Sequence, residues 1–305
     1  MRASASEAGG SGIRRSFEAE AVGAAAARAL RDGASGQAAA IFERSFYVTL
    51  GGQWICVVPK SGGLGPLNVE CREASLAGAI KSLRAGDRVA VENKSLRVGS
   101  ALALSLESAK EWRPAPPGDW NRDSVERGLA SLREAIGARE PPREGLAALL
   151  VDSAQLNAVA DAARAPILDL RSMLWETTAG KSGALDATKL LPLIGLGPGL
   201  TPSGDDAIGG ALIALHLLGE DDVRDLLWEK IAPHARMATG DISFAHLSAA
   251  AEGFGHEAVH RLINDVMEGG ADLPPALDAV HAIGHTSGWD AVVGVVTVLD
   301  AWLEA

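Results

Sequence analysis

The chain has 305 residues, 47% hydrophobic and 22% charged, enough to bury a sizeable core in two domains or one large one. Its 39 Asp and Glu against 28 Lys and Arg give a net charge of −11, with no basic run beyond Arg14-Arg15, which excludes a nucleic-acid-binding surface. The apolar stretches are too short and too interrupted to span a bilayer, so a soluble, cytoplasmic protein with no membrane partner is expected.

Residues 1–16 are rich in Gly and Ser, lack the apolar core of a secretory signal, and are expected to be a disordered tail. Phe17–Arg31 is alanine-rich and predicts a short helix ending at Asp32-Gly33. From residue 37 the pattern turns β-rich. Ala40–Leu50 predicts a strand, Gly51-Gly52 a hairpin turn, and Trp54–Val58 the returning strand. Ala74–Leu83 predicts a short helix. Asp87–Glu92, Leu96–Val98 and Leu102–Leu106 predict three more strands, with a turn at Asn93-Lys94. Short strands with tight turns point to a small barrel or sandwich. Within it, Ser61–Asn68 is a stiff glycine- and proline-containing turn, either a plain connection or part of a ligand site. Cys56 and Cys71 have no metal-ligand spacing and are expected as reduced thiols.

Arg113–Gly118, with three prolines, is a linker by composition. Beyond it the chain reads as helical: Asn121–Ala138 with Val125, Leu129, Leu132 and Ile136 on one face, helices to about Leu174, and Asp221–Ala232 after the central element. The fold class is therefore α+β. A small β-rich domain over 17–113, with a leading helix, precedes a mostly helical domain over 119–305. Aromatic residues are only 4% of the chain while Ala and Gly abound, so its helices should meet through small side chains.

Leu193–Gly210, LIGLGPGLTPSGDDAIGG, organises the helical part. Gly195, Gly197, Gly199 and Gly204 permit special backbone paths, and Pro198 and Pro202 stiffen them. Thr201 or Ser203 is placed to cap a helix running to Leu218. A glycine-rich loop feeding a helix N-terminus is an anion site, so Gly197, Gly199, Thr201, Ser203 and Gly204 are candidate binding residues. Asp205 and Asp206 in the first turn can hold Mg²⁺ or position an amide. No cofactor is otherwise called for. Alternatively, Ser203 and Asp206 form a capping box.

Two later corners repeat the device. Thr239–Ser248 opens a helix with Ser243 and His246 on one face. A catalytic Ser–His pair there is weak without a third group. Gly284–Asp290, GHTSGWD, enters a last helix, Ala291–Leu303. Ser203-Gly204-x-Asp206-Ala207 aligns with Ser287-Gly288-x-Asp290-Ala291, Gly210 with Gly294, and Leu215 with Leu299. Ser243, Ser287, Gly288 and Asp290 join the candidate binding residues. Two converging helix starts would make a strong anion pocket; two ordinary caps is the plainer reading.

GLGPGLTPSGDD, TGDIS and GHTSGWD together resemble the AllH family of oxamate carbamoyltransferase subunits, over roughly residues 37–303. The resemblance implies carbamoyl transfer, in which oxalurate and phosphate give oxamate and carbamoyl phosphate during allantoin breakdown, with further subunits as partners. It carries no residue-level mechanism. Checked against that chemistry, the two corners can cradle phosphate or an oxyanion. Asp205, Asp206 and His285 are the candidate catalytic groups, with His285 either an acid–base group or a cap. No Ser-Thr-Arg-Thr carbamoyl phosphate loop is present. The competing readings are a transferase component binding a small carboxylate or phosphate, a non-catalytic binding or assembly subunit, and a Mg²⁺-dependent hydrolase.

Overall fold

The computed structural model describes residues 15–72, 76–151, 155–178, 180, 186–271 and 273–305. Residues 1–14 of the expected tail and the start of the helix expected at Ala74 lie outside these. The chain divides into two compact units, the first ending at Trp112 and the second running from Arg113 to Ala305.

The first unit is a β-barrel. Its strands are β1 (Arg15–Gly23), β2 (Ser35–Ile41), β3 (Phe46–Leu50), β4 (Gln53–Pro59), β5 (Asn68–Cys71), β6 (Arg88–Glu92), β7 (Ser95–Val98) and β8 (Leu102–Ser105), followed by β9 (Lys110–Trp112). The spatial order is β5-β4-β3-β2-β6-β7-β8-β1, and β1 pairs back onto β5, so eight strands close the sheet, with β9 paired outside β1. Closure leaves most of the barrel's strands without a free edge. The hairpin at Gly51-Gly52 forms as expected, with both residues at positive φ (56° and 82°). Asn93 and Lys94 (φ 50° and 53°) make the matching turn between β6 and β7. Alternate residues Phe46, Val48 and Leu50 point into the core beside Ile55, Leu96 and Leu104.

Phe17–Arg31 is not one helix. Most of its first half is strand β1, and only α1 (Ala24–Ala29) is helical. Phe17, Ala19 and Val22 are buried while Glu18 and Glu20 face outward. That alternation, with pairing to three strands, overrides the helix propensity of alanine. The strand expected over Ala40–Leu50 breaks between β2 and β3. The expected Ala74–Leu83 helix is described only as α2 (Leu76–Ile80).

The second unit is helical: α3 (Arg122–Gly137), α4 (Ala158–Thr178), a 3-10 turn (Ala187–Leu193), α5 (Ser203–Leu217), α6 (Asp221–Ala238), α7 (Asp241–Ala251), α8 (Glu257–Met267), α9 (Leu273–His281) and α10 (Ser287–Glu304). Asn121 caps α3 in a capping box with Ser124. The central helix α5 is buried along nearly its whole length. It packs most intimately on α10, through glycine. A Cβ on Gly210 would stand 2.1 Å from the Ala291 carbonyl oxygen, and one on Gly294 only 1.8 Å from that of Ala207. Leu215 and Leu299, also aligned in the repeat, are both in the core. Among the described residues no helix is long and apolar enough to cross a membrane.

Candidate functional site

The repeated sequence is a repeated structure. The corners before α5 and α10 come together, with the hydroxyls of Thr201 and Ser287 3.1 Å apart. The pairing is reciprocal: Ser287 at the start of α10 hydrogen-bonds the Asp206 carboxyl of α5, and Ser203 at the start of α5 hydrogen-bonds the Asp290 carboxyl of α10. Each aspartate is also bonded by the threonine of its own corner, Thr201 for Asp206 and Thr286 for Asp290. The expected capping box is absent. Pro202 and Thr286 occupy the N-cap positions, and neither helix has a side-chain cap. The Ser-Gly-x-Asp device ties one helix to the other instead of closing its own end.

Asp205 and Asp206 divide the remaining work. Asp205 is 2% exposed, and its Oδ1 accepts from the Gly195 amide at 2.8 Å. Its Oδ2 accepts from the hydroxyls of Thr239 and of Ser243, the latter at 2.6 Å. Asp205 thus fastens the glycine-rich loop to the second corner, and Asp206 fastens it to the third. Adjacent residues on a helix diverge, so the two carboxylates do not converge on one cation. Among the described residues no group of three His, Cys, Asp or Glu side chains is placed to hold a metal ion.

Burial pushes the Asp206 carboxyl well above the usual carboxylate range, and the neighbouring charges of Asp290 and Asp205 add to the rise. Hydrogen bonds from Ser287 and Thr201 act against it. Even so, its Oδ2 is buried without a partner. Asp290 is fully buried, and burial raises it too, opposed by the Leu146 amide, Thr286 and Ser203. An orphaned buried carboxylate oxygen is costly, and this junction of two helix starts holds two, the Oδ2 of Asp206 and the Oδ2 of Asp290.

The glycines separate into two kinds. The Gly204 amide donates to Leu196 and the Gly288 amide to Ile283. A Cβ on either would strike a backbone carbonyl oxygen at 2.0 Å, that of Leu193 or of Val280. These two are close-packing positions whose amides are already committed, not cradle donors. Gly197 and Gly199 take positive φ (112° and 105°) on the loop itself, and Leu200 beside them is exposed. Ser243 serves Asp205, while His246 is half-buried, with desolvation pushing its pKa down to about 4. His285 is exposed and ion-pairs with Glu144 at the rim of the third corner.

The segment carrying Glu144 has no signature in sequence. Gly145 (φ 67°) lies over Asp290, and the Leu146 amide donates to Asp290 Oδ1 at 2.6 Å. Asn157 holds the segment from behind, donating to the carbonyls of Arg143 and Gly145. Only the special φ of Gly145 hints at it. An open pocket of about 100 Å³ lined by Asp169, Asp186, Lys189 and others contains none of the corner residues.

No solved structure matches the chain. Residues 193–299, the span that holds all three corners, match the family model of the oxamate carbamoyltransferase subunit AllH, the family that the motifs resemble.

Proposed function

We propose that this chain is a subunit of an oxamate carbamoyltransferase and that its ligand site is the meeting point of the α5 and α10 corners. The observation that carries this is the meeting of the two corners, with Thr201 Oγ1 3.1 Å from Ser287 Oγ and the Oδ2 atoms of Asp206 and Asp290 buried without partners, within the matched span. The reaction is phosphorolysis of oxalurate. A phosphate oxygen attacks the ureido carbonyl carbon, and the bond from that carbon to the oxamate nitrogen breaks. The nitrogen takes up a proton, leaving oxamate and carbamoyl phosphate.

The positive ends of α5 and α10 offset the charge that grows on the carbonyl oxygen, and the Thr201 and Ser287 hydroxyls, which face the Asp206 carboxyl in the free protein, turn to donate to it. The Asp206 carboxyl, whose pKa burial raises, passes a proton to the departing nitrogen and is reprotonated by the proton that the attacking hydrogen phosphate gives up. Asp205 positions the loop. Other subunits complete the enzyme, as the family's description as a subunit suggests.

The test is to purify the chain with the proteins that accompany it and follow carbamoyl phosphate formed from oxalurate and phosphate. Turnover that falls at least tenfold in Ser287→Ala supports the reading. Ligand binding without turnover in the complete assembly would mark a non-catalytic binding subunit instead.

A further inference from the structure

The two halves of the α5–α10 repeat are not equally filled, and the difference identifies a ligand group. Asp206 and Asp290 occupy equivalent places. Each receives a serine hydroxyl from the opposite helix and a threonine hydroxyl from its own corner. Asp290 has one donor more, the backbone amide of Leu146, which reaches Oδ1 at 2.6 Å from the segment pinned by Asn157. Among the described residues no backbone amide bonds Asp206; the Oδ2 of each aspartate is buried without a partner, so the Leu146 amide is the difference between them. The fold supplies an amide N–H to one carboxylate of the pair and withholds it from the other.

We infer that Asp206 is a specificity-determining residue that accepts a hydrogen bond from the N–H of a ligand carboxamide or ureido group, in the position the Leu146 amide holds at Asp290. The inference rests on the proposed function for the location of the site and adds which atom of the ligand is read there. A carboxyl oxygen in this setting rejects a ligand that offers a methyl group in place of N–H, because the oxygen is then left buried and unpaired. It also gives the transferred proton a short path, since the N–H that is bound is the one lost when oxamate becomes the attacking amide.

Oxamate and pyruvate test this directly. They share a carboxylate and an adjacent carbonyl and differ by amide against methyl. Titration calorimetry on the wild-type protein is expected to give oxamate binding at least tenfold tighter than pyruvate, and Asp206→Leu is expected to bring the ratio to within about twofold. Because that variant puts an apolar side chain at a polar junction, ¹⁵N-labelled oxamate on the wild-type protein provides a second reading. Its amide proton resonance should move downfield on binding, as expected for an N–H donating to a carboxylate. Absence of oxamate binding, equal binding of the two acids, a preference that survives in Asp206→Leu, or an unmoved amide resonance would each overturn the assignment. Oxamate preference without turnover counts against the transfer chemistry alone. Turnover without the preference counts against this assignment alone.

Discussion

Gly210 and Gly294 stand in reciprocal positions, each facing a backbone carbonyl of the other's helix, that of Ala291 and that of Ala207. This close approach brings the first turns of α5 and α10 near enough for Ser203 and Ser287 to reach across to Asp290 and Asp206. The site geometry therefore depends on two absent side chains lying about one and a half to two turns into each helix. Gly210→Ala should force the helices apart and cost about 1–3 kcal/mol or more, a loss of about 2–4 °C in Tm per kcal/mol in a unit of this size. Gly209 is the control. A Cβ there meets nothing nearer than the Ala250 Cβ at 3.8 Å, so Gly209→Ala should be neutral or stabilise by up to about 1 kcal/mol. Equal Tm values for the two variants would contradict the packing account.

The two neighbouring aspartates should respond to mutation in opposite directions. Asp205→Ala strands the Gly195 amide and the Thr239 and Ser243 hydroxyls, at about 1–3 kcal/mol for each buried donor left unpaired. Asp206→Asn should raise Tm at pH 7. The folded state holds the Asp206 pKa above its unfolded value, so this group favours folding when protonated and loses that contribution as pH rises through its folded pKa. The advantage of Asp206→Asn should shrink as pH falls to 4 and below, where the wild-type carboxyl becomes protonated in the unfolded chain as well as in the folded one. A lower Tm for Asp206→Asn at pH 7 would show Asp206 to be a structural tie and not a functional group held at a cost.

Two histidines set the acid limit, His260 buried and His246 half-buried. Burial, aided by neighbouring His256, pushes His246 down to about 4, and burial with His216 and His256 does the same for His260. Both pKa values lie below the usual 6.5, so the unfolded chain binds these protons first. The stability these histidines contribute is full above pH 6.5 and is lost as pH falls toward 4. Each contributes a slope of up to about 1.4 kcal/mol per pH unit in that window. Denaturant titrations between pH 7 and 4 measure it, and a flat profile would contradict the burial of these rings.

Cys56 sits in the barrel wall with its thiol pushed up to about 12 by burial, and Cys71 is fully buried. Neither should react with a thiol reagent at pH 8 until the barrel unfolds. Labelling that outpaces unfolding would contradict the closed barrel.

Much of this was legible in the sequence, for identifiable reasons. The Ser-Gly-x-Asp repeat and its aligned glycines could be read because the device uses side chains, and their absence, at fixed spacing. The hairpin at Gly51-Gly52 could be read because positive φ restricts the residue types. What was hidden acts through backbone or tertiary context. The Leu146 amide leaves no residue signature. The division between Asp205 and Asp206 depends on which corner each faces. The roles of Gly204 and Gly288 differ from those of Gly197 and Gly199 only in what lies opposite. β1 was hidden because its short alternation over Phe17–Val22 runs straight into the alanine run of α1, which favours helix.

The most direct test of the central claim is a crystal structure of the protein soaked with oxamate and phosphate. The account predicts oxamate at the α5–α10 junction, its amide on Asp206 and its oxygens on Thr201 and Ser287. A well-ordered junction that stays empty while oxamate occupies another part of the chain would contradict it.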